Sequence, residues 1–330
     1  DRSRVFDGAE DEATLAPGVP FDVIRDARLV PWQQAVGMLA NPDRVTRGYG
    51  VEIDGQPTFF PLIAMLFHEV SNQRLGDRWT VMTYCPLTDS GLLFDTGFDP
   101  DALPRRHDFA PSGLFNSNLM VSILERPVER RTLISQMLGY GVRGPETDQC
   151  VAALPSLLVE FDVWRAMHPE TLVLSGDPAL ADRYDYRNRA NPYAQYWNST
   201  FEIRAEVARR DDRLPIKQPV MGVLDDDDPL AVVLGPEEFV HTDRVGGVPV
   251  AVLHARRTAI VLERVHPITG EEIVLRRSDG TWGGMPLYED DSAAPSVWSF
   301  EGIALRGPAA GERLAWVPSM SAFWFAWYAI

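Results

Sequence analysis

The chain repeats itself, and this restricts its possible folds more than any other feature. "YGVEIDGQPTFFPL" from Tyr49 is answered by "MGVLDDDDPLAVVLGP" from Met221, and "RLGDRWTVMTY" from Arg74 by "RVGGVPVAVLH" from Arg244. "GYGVRGP" (139–145) returns as "GIALRGP" (302–308), and "LPSLLVEFDVW" (154–164) as "VPSMSAFWFAW" (317–327). Order is kept in all four blocks, and the offset drifts from about 173 to 163, as small loop insertions would make it. Self-similarity of this kind is the mark of a tandem duplication. The chain divides into a flexible N-terminal segment (1–20), a first β-rich repeat (21–170), an aromatic connecting segment (171–216) and a second β-rich repeat (217–330).

Within each repeat the signals are mostly short strands. "RWTVMTY" and "SGLLFDT" are β-branched or aromatic runs bounded by turn residues. "TLISQMLGYGVRG" carries glycines that suit one bulged strand better than a helix. One helix per repeat is expected to open at "LPS" and "VPS", with the proline in its first turn. Leu157, Leu158, Phe161 and Trp164 recur at helical spacing, and His168-Pro169 ends the helix. The expected fold is α+β and mostly β: two copies of a β-rich unit, each closed by one helix, packed as a pseudo-twofold pair. Ligand sites favour such junctions.

The net charge of −16 excludes a phosphate-backbone binder, since no basic cluster offsets it. The longest apolar run, "AFWFAWYAI", is too short to span a bilayer. Two cysteines, Cys85 and Cys150, make no disulfide framework and pair only if the fold joins them. The start without Met suggests processing.

Several blocks also carry a family likeness: "FFPLIAMLFHEVSN", "TYCPLTDSG", "SGLFNSNL", "GYGVRGP", "HPETLVLS", "NPYAQYW" and "LPIKQPVMGV". In this order, over about residues 21 to 330, they resemble domain-of-unknown-function family 3179. The resemblance implies bacterial or archaeal, often exported proteins, hence an exported or periplasmic location with cytoplasmic as the alternative; it implies no particular activity. Many members read Cys-Pro-Leu-Cys where this chain has Cys85-Pro86-Leu87-Thr88. Without the second thiol a dithiol cycle has no partner sulfur. Nor does the family's Tyr-Asp pair follow Asn118 here, where "MVSILER" stands instead.

Residues serving only the fold should appear in both copies. Cys85 falls opposite Ala255, Tyr84 opposite His254 and His68 opposite Glu238, while the second copy lacks both Asn116 and Asn118. Two readings follow. In one, Cys85 marks a pocket in the first repeat, with His68 as the imidazole that ionises it. Thr88, Asp89, Ser90, Asn116 and Asn118 then offer polar groups to a small-molecule ligand. Thiolate catalysis or a soft metal, copper or zinc on Cys85 and His68, would be its chemistry. In the other, the duplicated scaffold is a non-catalytic ligand-binding or interaction module. Glu69, next to His68, is expected on the opposite face of a strand, exposed or paired with an arginine.

Overall fold

The computed structural model describes residues 22–35, 47–96, 107–124, 127, 131–175, 191–204, 207–225 and 227–330. The flexible segment expected at 1–20 and the middle of the connecting segment (176–190) lie outside these. Among the described residues the chain is mostly β, with several sheets and four α-helices. None of those helices is long and apolar enough to cross a membrane.

The central hairpin of the first half joins Arg78–Cys85 to Ser90–Asp95, with Val70–Leu75 beside it and the short Ile24–Arg25 running parallel at the edge. Its strands are near-continuous apolar runs because each face meets a different core. Val81, Cys85, Leu92 and Phe94 enter one cluster, whereas Met82, Tyr84 and Leu93 enter another. The hairpin Val248–Ala255 and Thr258–Glu263 in the second half is built alike. There Ala251, Leu253, Ala255, Ile260 and Leu262 face one cluster, and Val250, Val252, Ala259 and Val261 face another. Fully burying an aliphatic or aromatic side chain of this size stabilises the fold by about 1.5–3 kcal/mol.

Two expectations about local structure need correction. The "PS" prolines do not open helices. Leu157–Glu160 is a strand that pairs antiparallel with Arg47–Gly50, and the helix begins only at Phe161 (Phe161–Met167). Leu157 and Val159 are buried while Leu158 and Glu160 are partly open, so a period of two competes with the helical spacing. Met320–Phe323 likewise pairs with Pro219–Gly222 before the helix Trp324–Ala329. In addition, the stretch at 133–143 is two short strands, Leu133–Ser135 and Tyr140–Arg143, with Gly139 at φ 68° in the turn between them. A further helix, Leu62–His68, has no counterpart in the sequence reading. Its "LIAMLF" is apolar on every side and has no polar stripe to betray a period.

Each of the two terminal helices lies on a glycine of its own half. A Cβ on Gly50 would overlap the Trp164 indole, and one on Gly222 the Trp327 indole. Both also reach across the molecule. Trp164 shares a core with Ala251, Leu253 and Ile260 of the second half, and Trp327 shares one with Val81, Cys85 and Phe94 of the first. Strand Leu157–Glu160 packs on Thr258–Glu263, and Met320–Phe323 on Ser90–Asp95. His168, its ring tilted against Trp164, adds a polar tie between the halves, its Nε2 lying 3.1 Å from both carboxylate oxygens of Glu301.

Candidate functional site

Cys85 ends its strand opposite Ser90, and its side chain is 1% exposed. The thiol lies 3.7 Å from the Ser117 carbonyl, to which it donates. Burial pushes its pKa up to about 11; the Glu69 carboxyl pushes the same way, against the Thr88 hydroxyl and the Thr88 and Leu87 amides. A thiol kept protonated at neutral pH is a poor nucleophile and a poor metal ligand. Cys85 and Cys150 are both free, the second exposed.

Of the residues expected around Cys85, the fold gathers three. Thr88 and Ser90 hydroxyls lie 2.8 Å apart, Ser90 donates to Gln136 Oε1 at 2.9 Å, and Asn118 Nδ2 donates to the same oxygen at 2.8 Å. Asn118 Oδ1 accepts from the Met137 amide at 3.1 Å, so both ends of its amide are engaged inside the chain. Gln136 was not singled out in the sequence, where nothing marks it. It is fully buried, and its Nε2 has no partner among the described residues.

The others point elsewhere. Asn116, at φ 49°, donates to the Ala329 carbonyl at 3.0 Å and accepts from the Ala208 amide at 2.8 Å. It ties the C-terminal helix and the connecting segment to one turn. His68 ends a helix instead of lying on a strand. Its ring is buried and Nδ1 donates to the Asp22 carbonyl, while the Cys85 thiol donates to the Ser117 carbonyl, so the expected imidazole and thiol have different backbone partners. Glu69, expected to be exposed or paired, is 7% exposed and forms no ion pair among the described residues. It stands at φ 59° just after the helix, and burial raises its carboxyl pKa to about 8.

Asp89, at φ 50°, turns away from the Cys85 network toward a cavity of about 280 Å³ between the two halves. From the first half come Arg47, Tyr49, Asp89, Gly91 and Ser156; from the second, Met221, Gly235, His254, Arg257 and Trp316. Tyr84 donates to Asp89 Oδ1 at 2.6 Å. Asp89 keeps some exposure on the cavity side; burial raises its pKa, opposed by Arg47, the Tyr84 hydroxyl and Arg257. Burial, then Asp89, lifts Tyr49 well above the usual tyrosine range, so its phenol stays a donor. The Tyr49 hydroxyl and the Ser156 Oγ are both buried with no hydrogen-bond partner among the described residues. His254 Nδ1 donates to the Glu237 carbonyl at 2.8 Å, which leaves Nε2 uncommitted by that bond.

Of these lining residues only Asp89 is among the candidate site residues of the sequence; His254 enters there only as the residue aligned with Tyr84. Arg47 and Arg257 are 210 positions apart and meet only in the fold.

No curated protein and no solved structure matches the chain. Residues 19–330 match the family described as protein of unknown function, DUF3179, and with nearly its whole length covered the chain belongs to that family.

Proposed function

We propose that the protein is a tandem duplication serving as a non-catalytic binding module, with a small-molecule site in the cleft between its halves. Support for the duplication comes from paired details at matching positions. The bridges Ala153↔Phe94 and Tyr140↔Cys150 have counterparts in Leu262↔Trp316 and Ile303↔Arg313. Gly144 sits against Thr132 as Gly307 sits against Ser296, and Gly76 lies on Asp54 as Gly246 lies on Asp225. The reciprocal packing of the two terminal helices supports a pseudo-twofold relation.

The observation that carries the binding reading is the cavity with two orphaned hydroxyls. Buried polar groups are nearly always bonded, and an unbonded one costs about 1–3 kcal/mol. Tyr49 and Ser156 both line this cavity with the two hydroxyls buried in its wall, where a ligand that turns either side chain would satisfy it. The alternative of thiolate chemistry or copper or zinc at Cys85 and His68 draws less support. The thiol is sealed and protonated, and no group of three or more His, Cys, Asp or Glu among the described residues is arranged to hold a metal.

Gly235 supplies the test. It lines the cavity, and a Cβ there would meet nothing within 4 Å. Gly235→Phe should fill the cleft without straining the backbone. In a thermal-shift screen of small acids, amines, neutral amides and sugars, compounds that stabilise the wild type should lose their effect in this variant, whose own Tm should be unchanged. Hits that persist in Gly235→Phe, or no hit in any class, would overturn the reading.

A further inference from the structure

We infer that the cleft takes a small organic monoanion, a carboxylate with a compact apolar arm, clasped between Arg47 of one half and Arg257 of the other. This deepens the binding reading above and rests on it.

Charge is the first argument. The chain carries a net charge of −16, yet this cavity is lined by two arginines and a single carboxylate, Asp89. With His254 neutral, the lining carries a formal net charge of +1 when Asp89 is ionised. Neither guanidinium forms an ion pair within 4.0 Å among the described residues. Arg47 Nη2 instead donates to the Arg257 backbone carbonyl at 3.2 Å, which brings the Arg47 guanidinium to the hairpin tip that carries Arg257. An anion between the two arginines would give each fork an acceptor of the geometry it suits.

The turn that presents Arg257 is the second argument. Arg256 and Arg257 form the two-residue tip of the hairpin Val248–Ala255/Thr258–Glu263, at φ 49° and 62°. Both positions ordinarily favour Asn or Gly. Arg256 pairs with Glu160 of the other half at 3.3 Å, an evident structural use; Arg257 has no such partner among the described residues and lines the cavity.

The rest of the lining sets the ligand's shape. Tyr49 and Ser156 line the same cavity, and their hydroxyls, buried in its wall with no partner among the described residues, are donors that a small side-chain turn would bring to carboxylate oxygens. Leu158, Met221, Ile260 and Trp316 form an apolar wall that a bare inorganic ion would leave unused. About 280 Å³ falls just below the usual ligand-pocket range of roughly 300–1,000 Å³, too small for a nucleotide.

The test uses the full chain and four probes: benzoate, benzamide, benzylamine and inorganic phosphate, titrated calorimetrically. Benzoate should bind at least tenfold more tightly than benzamide, and benzylamine should not bind. Arg257→Ala should weaken benzoate at least tenfold at unchanged Tm, Arg257→Lys should restore part of the loss, and Gly235→Phe should abolish binding. Benzamide matching benzoate, or indifference to Arg257→Ala, would overturn the carboxylate assignment; if that binding still vanished in Gly235→Phe, the cleft would stand as a site of another class. Phosphate binding more tightly than benzoate would make it an inorganic-anion site and overturn the organic assignment, as would the failure of every probe.

Discussion

Glu69→Gln should change how stability depends on pH, and the size of the change follows from burial. In the folded chain the Glu69 carboxyl holds its proton up to about pH 8, whereas an unburied glutamate releases it near 4.5. Between those values the folded state carries a proton that the unfolded state has lost, so stability falls as pH rises. Roughly 3.5 pH units at ~1.36 kcal/mol each gives a loss of about 5 kcal/mol by pH 8, after which both states are ionised and the slope ends. Glutamine has a similar shape and no ionisation. The variant should match the wild type near pH 4.5 and exceed it by up to about 5 kcal/mol at pH 8. Urea denaturation of both proteins at pH 5, 6, 7 and 8 reads the difference directly. A gap that widens by about 1.4 kcal/mol per pH unit is the expected result. Parallel profiles, or a variant less stable at pH 8, would refute the assignment of Glu69 as a buried neutral acid.

Gly50→Ala and Gly222→Ala should each destabilise by about 1–3 kcal/mol in chemical denaturation, because the new methyl overlaps an indole in both cases; a neutral substitution at either would contradict the packing described. Thiol titration of the native protein should find one fast group, the exposed Cys150, with Cys85 reacting only in denaturant; two fast thiols would show that the Cys85 turn is open.

Much of the strand pattern was legible because apolar runs bounded by turn residues have few alternatives. The strand ending at Cys85 and the one ending at Ala255 lie where the sequence pattern puts them. The Thr88–Ser90 part of the buried cluster was also within reach, since the two are close in sequence, whereas Asn118 lies in a different sheet and joins them only through Gln136. What escaped depends on order created by the fold. Helix Leu62–His68 lacks a polar face, so its period was invisible, and its presence set His68 at a helix end and turned Glu69 into the interior. Arg47, Ser156 and Arg257 converge from three distant segments and share no motif. Aligned on the expected duplication, Cys85 stands against Ala255; both are buried at strand ends, a difference that core packing alone accounts for.

Leu29–Pro31 borders one sheet of the first half, and among the described residues its neighbour there is Leu172–Leu174 alone, paired Val30 to Val173. About 140 residues separate the two. At a ribosomal pace of roughly 5–20 residues per second, the earlier strand emerges on the order of 10–30 s before its mate. Until then its backbone groups have no sheet to join. The sheet is thus closed by a late-arriving partner, and a nascent chain interrupted before residue 172 would keep an open edge on which other chains can pair.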